Sequence, residues 1–384
     1  MEEKQTHIQE AESSEEYRKK RIRKVTKNFF LHIHASKVHP HSLKPSYTFG
    51  LGIMLGFLFL VMIVTGIILM LNYVPTVEHA YNSVKDIIYV VPGGRIVRNI
   101  HKLASYGMVF TVFLHLLRVF YTGSYLGNRK TNWIIGIVMF VLVLFMSFSG
   151  YLLPWDQLSY WAVTIGSNIA ASARELTDLL GITSWFDIGG FFKKLLIGDE
   201  TVGQPALTRF FMMHVVFLPL TLLVLTGLHF WRIRKDGGLS RPAEADEPDP
   251  KNEKLYAWPV VLWAELAILT GVIAVLLLLA LFIDAPLLER ANPAHPENPA
   301  KSPWYFLGIQ ELVSYSAFSG GLLVPVLFLY FLFSIPYKDR EDQFVGKWFS
   351  DRQGKRITLQ AAIISFVTVI LQVFIMVKWG WLRD

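Results

Sequence analysis

A chain of 384 residues that is 53% hydrophobic and only 17% charged, with charges kept out of several apolar stretches of bilayer-crossing length, is not an ordinary soluble domain. Its net charge of +7 comes from basic residues flanking those stretches, so it reads as membrane topology and not as a nucleic-acid face. The absence of cysteine excludes disulfides, thiolate metal ligands and thioether-linked prosthetic groups, leaving histidine, methionine, carboxylates or backbone to hold any cofactor.

Residues 1–47 read as a cytoplasmic amino-terminal segment. Its first 27 residues are polar and charged (Glu15, Glu16, Arg18, Lys19, Lys20, Arg21, Arg23, Lys24) without an apolar run, which predicts no cleavable signal peptide. His32, His34, His39 and His41 follow without an acid or a fixed helical register, so they read as a wetted membrane-surface segment and not as a metal site. Apolar runs then lie near 48–72, 100–121, 132–153, 208–231, 258–283, 319–336 and 358–379, and predict seven spanning helices. With one crossing per run, the amino terminus, the 122–131 loop (Arg129, Lys130), the stretch Arg232, Arg234, Lys235 and the 338–356 loop share one side. The positive-inside rule makes that side cytoplasmic.

Between the fourth and fifth runs, 236–256 carries Gly237, Gly238, Pro242, Pro248 and Pro250 among mixed charges and reads as an exposed linker. The expected architecture is an all-α membrane protein: a four-helix unit over 48–235, the linker, and a three-helix unit over 257–384. The two long connections on the opposite side, roughly 154–207 and 284–318, point to function, since long loops in compact proteins usually carry it.

Four histidines fall inside the apolar helices: His101 and His115 on the second, His214 and His229 on the fourth. At about 100° per residue, a step of 14 returns to within roughly 40° of the same face and a step of 15 to within roughly 60°, with an axial shift of roughly 21 to 23 Å. The second and fourth helices run parallel, so His101 is level with His214 and His115 with His229. This predicts two bis-histidine metal sites, one near each membrane surface. Gly52 and Gly66 on the first helix, and Gly136 and Gly150 on the third, repeat the spacing of 14 and predict slots for a flat macrocycle, a haem, at each level. Arg98 and Arg118, one turn from proposed ligands, and Arg209 are candidates for pairing with haem propionates.

The runs RNIHKLASYGMVFTVFLHLLRVFY from Arg98, GYLLPWDQLSYWAV from Gly150 and LTRFFMMHVVFLPL from Leu207 resemble cytochrome b of the Rieske/cytochrome b quinol oxidoreductases over about 48–382. The step of 15 from His214 to His229 and the seven helices resemble the split photosynthetic form, here with its two parts fused. The resemblance implies two non-covalent haems b, an outer one on His101 with His214 and a cytoplasmic one on His115 with His229. It implies quinol oxidation beneath the two long outer loops, one electron passing to a Rieske iron–sulfur protein and the other crossing both haems, with a c-type cytochrome as acceptor. A homodimer and a bacterial plasma membrane are further expectations from resemblance and composition.

The family's Pro-Glu-Trp-Tyr signature stands here as Ser302, Pro303, Trp304, Tyr305, with proline in the place of the acid. Glu311 in GIQEL becomes the candidate base beside Tyr305, a role that requires its proton affinity to be raised by burial. Photosynthetic relatives attach a further haem through a cysteine where this chain has Gly50, so that haem is excluded. Arg234 matches a basic residue near their cytoplasmic quinone pocket. The missing acid also motivates an alternative: a dihaem anchor that passes electrons between the quinone pool and another redox module without splitting them.

Overall fold

The computed structural model describes residues 37–256, 260–296, 302–339, 345–348, 352–378 and 380. The basic cluster of the amino-terminal segment, His32, His34 and part of the 338–356 loop lie outside the described residues. Seven helices among the described residues are long and apolar enough to cross a membrane. They are α1 (Leu51–Met70), α2 (Gly94–Tyr121), α3 (Lys130–Tyr151), α4 (Gln204–Lys235), α5 (Leu262–Phe282), α6 (Ser319–Lys338) and α7 (Arg352–Lys378).

Two of these helices are not α-helical throughout. In α4 the residues Met213–Phe217 form a π-turn closed by Leu218 N–H on the Met213 carbonyl, and in α6 Ser319–Leu323 form another closed by Val324 N–H on Ser319. In each case a proline, Pro219 or Pro325, directly follows the closing residue. Proline has no N–H and its ring crowds the carbonyl four residues back, and a widened turn relieves that crowding without breaking the helix.

Helix α1 packs along α2 and α3 along α4, α5 lies against α1 and α2, and α6 lies against α3. The central core is Leu58, Phe59, Ala104, Met108, Val109, Val112, Phe140, Val143, Leu222 and Leu276. The outward faces stay apolar and exposed, as at Leu60, Phe145, Val224, Phe282 and Phe366, which suits contact with lipid.

The carboxy-terminal helices are tied to the bundle at its basic end. Trp133 Nε1–H donates to the Leu332 carbonyl at 2.9 Å, and Tyr125 O–H donates to Asp339 at 2.6 Å. Because the Trp133 bond is buried, Trp133→Phe leaves that carbonyl without its donor and is expected to cost about 1–3 kcal/mol. A lowered midpoint for loss of α6 packing in detergent, with the four-helix unit still folded, would check this.

At the opposite end the two long loops clasp one another. Asp156 caps the helix Gln157–Ala171 with a capping box, and its second carboxylate oxygen accepts from Leu288 N–H at 3.1 Å. Gln157 N–H donates to Glu289 O and Ala291 N–H to Trp155 O. Arg95 pairs with Asp284 at 2.7 and 2.8 Å, and Asn99 holds Asp284 and the Ala285 amide. These bonds hold Asp284 as a carboxylate below its ordinary range. The span from 157 to 203 is therefore not a bare loop but also holds the helices Arg174–Leu179 and Ile188–Ile197.

At the basic end the linker is pinned, not free. Lys37–Val38 pairs antiparallel with Leu255–Tyr256, His39 Nε2–H donates to Ala245 O, and Tyr47, Ser240, Ser124 and Thr122 form a chain of hydroxyls. His39 is buried there and its Nδ1 accepts from the His41 amide, so the expectation of a wetted surface does not hold at His39.

Candidate cofactor and quinol sites

The structure brings the four histidines together in two levels. The rings of His101 and His214 face each other across the bundle with centroids 6.2 Å apart and planes at 76°. Two imidazoles bound to one metal from opposite sides, with metal–nitrogen bonds of about 2 Å, put their centroids roughly that far apart. The step of 15 in α4 also finds its explanation. The π-turn that contains His214 absorbs one residue, so His229 keeps the face that a step of 14 gives in the regular helix α2.

At the loop end both imidazoles have their Nδ1 engaged. The Thr65 hydroxyl donates to Val61 O at 2.7 Å and so accepts from His101 Nδ1–H at 2.8 Å. Ser149 donates to Met146 O, and His214 Nδ1–H is shared between Ser149 at 3.2 Å and Met146 O at 3.1 Å. A proton fixed on Nδ1 leaves Nε2 as the free lone pair, which is how a neighbour sets a ligand's tautomer. At the basic end His229 Nδ1 is buried beside the backbone of Asn132, which stands four residues before Gly136 as Met146 stands before Gly150.

Each predicted glycine stands against one histidine. A Cβ on Gly66 would lie 3.3 Å from His101 Cε1, on Gly52 3.6 Å from His115, on Gly136 3.8 Å from His229, and on Gly150 only 2.5 Å from His214. Among the described residues no group of three or more histidine, cysteine or acidic side chains converges on a metal-sized point. Two facing imidazoles between glycine-lined walls therefore suit a metal that brings its own planar ligand, and the His101–His214 level fits a haem.

The four arginines have separate surroundings. Arg118 is buried, donates to Tyr47 O at 3.1 Å and lies over the Tyr47 ring at 4.2 Å, while its Nη2 is buried without a partner, as an absent anion would leave it. Arg98 donates to the carbonyls of Ala285 and Pro286, and Arg209 to those of Lys194 and Leu195, so both tie the loops in this structure. Arg234 lies in the last turn of α4 with Arg232 and Lys235.

Pro303 caps the short turn Trp304–Phe306, which leads into the helix Leu307–Val313. Tyr305 turns into the bundle, its ring 6.0 Å from that of Tyr106 and its hydroxyl paired with Ser147, and burial raises its phenol above the ordinary range. Glu311 turns instead towards α7, in an ion pair with Lys378 at 2.5 Å and accepting from Tyr315 O–H at 3.0 Å. Gln372 of α7 donates to Trp304 O, so α7 closes over this segment.

Sequence reading missed Thr65, Ser149, Lys102, Tyr106 and Tyr151. A signal for two of them was present: a hydroxyl residue directly precedes each loop-end glycine, Thr65 before Gly66 and Ser149 before Gly150, but neither basic-end glycine, where Leu51 and Ile135 stand.

Known proteins resemble the chain in sequence and in fold. The family model for cytochrome b(N-terminal)/b6/petB matches residues 106–298. A cytochrome b6 of Heliobacterium mobile is 40% identical over 197 residues, covering 50% of this chain and 87% of the relative. A cytochrome b6 of Prochlorococcus marinus is 38% identical over 179 residues, covering 47% of this chain and 77% of the relative. A solved structure of a hyperthermophilic respiratory Complex III superposes with a TM-score of 0.72 at 25% identity, over 87% of this chain and 84% of that one.

Proposed function

The chain belongs to the cytochrome b(N-terminal)/b6/petB family, and from that premise we propose that it is the dihaem subunit of a quinol oxidoreductase in a bacterial plasma membrane. It is a multi-pass membrane protein of the electron-transport class, with the fold of a Complex III cytochrome b. The observation that carries the dihaem reading is the pairing of His101 with His214, each backed by a glycine and the pair set between hydroxyl-bearing turns. His115 and His229 would hold the second haem.

Bound haem supplies a one-electron centre at each level. The chain's own residues do the rest. Thr65, Ser149 and the Met146 carbonyl keep Nε2 of His101 and His214 available and the ring planes fixed. Arg118 offers an unpartnered N–H to an anionic substituent at the basic end. Quinol oxidation is assigned to the outer side, beneath the clasped loops and the Trp304–Phe306 turn. His101 and His214 would hold a haem able to accept one quinol electron, the other passing towards a Rieske iron–sulfur protein and on to a c-type cytochrome. The amino terminus is cytoplasmic, the charge asymmetry of the loops being its support. The working unit is a homodimer.

With proline at 303, Glu311 of the following helix takes a quinol proton, and Tyr305 lines the pocket. Glu311→Gln keeps the shape and removes the base, so quinol oxidation is expected to fall by about 10²–10⁴-fold with both haems retained. Unchanged turnover would remove Glu311 from the mechanism. The ion pair of Glu311 with Lys378 favours a second reading, electron transfer to another module without splitting. A redox-titrated optical spectrum of the purified complex, with haem quantification and an inhibitor of the outer quinol site, separates the two. Two b haems per chain with inhibitor-sensitive turnover support the first, and two haems with insensitive turnover support the second. A chain without haem would overturn both.

A further inference from the structure

Lys102 follows the loop-end ligand His101 on α2 and reaches into the bundle. Its Nζ lies 4.9 Å from the centroid of the Tyr106 ring and 4.9 Å from that of Tyr151. Tyr151 follows Gly150, the glycine against His214, and the Tyr106 ring is 6.0 Å from that of Tyr305. The ammonium is thus bracketed by two aromatic faces on the flank of the His101–His214 pair, on the side of the Trp304–Phe306 turn. Aromatic faces attract a cation without neutralising it.

The neighbouring charges are otherwise engaged. Arg98, one turn earlier, donates to Ala285 O and Pro286 O. Asp156 is occupied by the amides of Ser159 and Leu288. Among the described residues no carboxylate forms an ion pair with Lys102. A positive charge retained at membrane depth is costly and therefore a mark of function.

We propose that Lys102 is a positioning charge that raises the electron affinity of the centre held by His101 and His214. The proposal rests on the reading that these histidines bind a haem. Taking up an electron lowers the net charge of such a centre by one, and a fixed cation close by in a weakly polarisable interior favours the reduced form. At the basic end the residue directly after His115 is Leu116, and the buried cation near His115 is Arg118, which donates to Tyr47 O.

The test is a redox titration of the b-haem absorbance in the assembled complex, comparing the native protein with Lys102→Met and Lys102→Arg. In Lys102→Met one of the two steps is expected to lose at least tenfold in electron affinity, about 59 mV for a one-electron couple. The other step should stay in place, and Lys102→Arg should restore the native pair of steps. Lys102→Gln gives the same comparison if the methionine variant does not assemble. Two haems with both steps unmoved would overturn the proposal, as would an equal fall in both steps. A native complex without two titrating haems would instead overturn the dihaem reading on which it rests.

Discussion

Replacing His214 with leucine is expected to abolish one of two b-haem components in the redox-titrated spectrum while the other persists. Leucine offers no lone pair to a metal, while the Ser149 hydroxyl keeps its own bond to the Met146 carbonyl. Changes in residues that merely orient a metal ligand typically lower affinity 10–100-fold, so loss of the ligand itself should exceed that range and leave quinol oxidation below a hundredth of native. His101→Leu should delete the same component, and His115→Leu or His229→Leu the other one. Thr65→Val, which removes only the partner of His101 Nδ1, should weaken haem retention within the 10–100-fold range and keep both spectral signatures. Deletion of different components by His101→Leu and His214→Leu would show that the two do not share a centre.

Gly150→Ala should have nearly as large an effect, although alanine is the better helix former. Alanine in a helix interior is favoured over glycine by roughly 0.5–1 kcal/mol, so propensity alone predicts a stabilised α3. At Gly150 the added Cβ would lie 2.5 Å from His214 Cε1 and 2.9 Å from Nε2, the atom that must bind, whereas at Gly136 it would lie 3.8 Å from His229. Gly150→Ala is therefore expected to yield folded protein lacking the loop-end haem, and Gly136→Ala protein with both. Haem-to-protein ratios after purification decide this. Equal retention in the two variants would mean that the imidazole does not fix the tolerance at these positions.

The membrane architecture was legible because its causes are local: each of the seven helices is a run of side chains that lipid tolerates and water does not. The histidine and glycine ladders were legible for the same reason, being fixed by helical geometry within a single element. What the sequence concealed lies in contacts between distant segments. Nothing near Arg98 announces that the carbonyls of Ala285 and Pro286 will take its guanidinium, and nothing near Arg209 announces those of Lys194 and Leu195. The linker read as exposed from its glycines and prolines, yet Ser240 and Ala245 are buried against Tyr47 and His39. Glu311 was placed beside Tyr305 by their nearness in sequence. One short helix separates their directions, since Tyr305 enters the bundle and Glu311 meets Lys378 of α7.

The π-turn of α4 makes the count of residues between His214 and His229 a poor guide to relatedness. An inserted residue ordinarily rotates the remainder of a helix by about 100°. Here the extra residue is confined between Met213 and Phe217, so Arg232, Arg234 and the linker beyond them leave the helix at an unaltered azimuth. A homologous chain shorter by that single residue could run straight through the same region and still present its imidazoles at the same levels. Proteins that differ in this interval would then differ in length without differing in coordination geometry, and alignment gaps placed there would record a local change of winding and not a change of site.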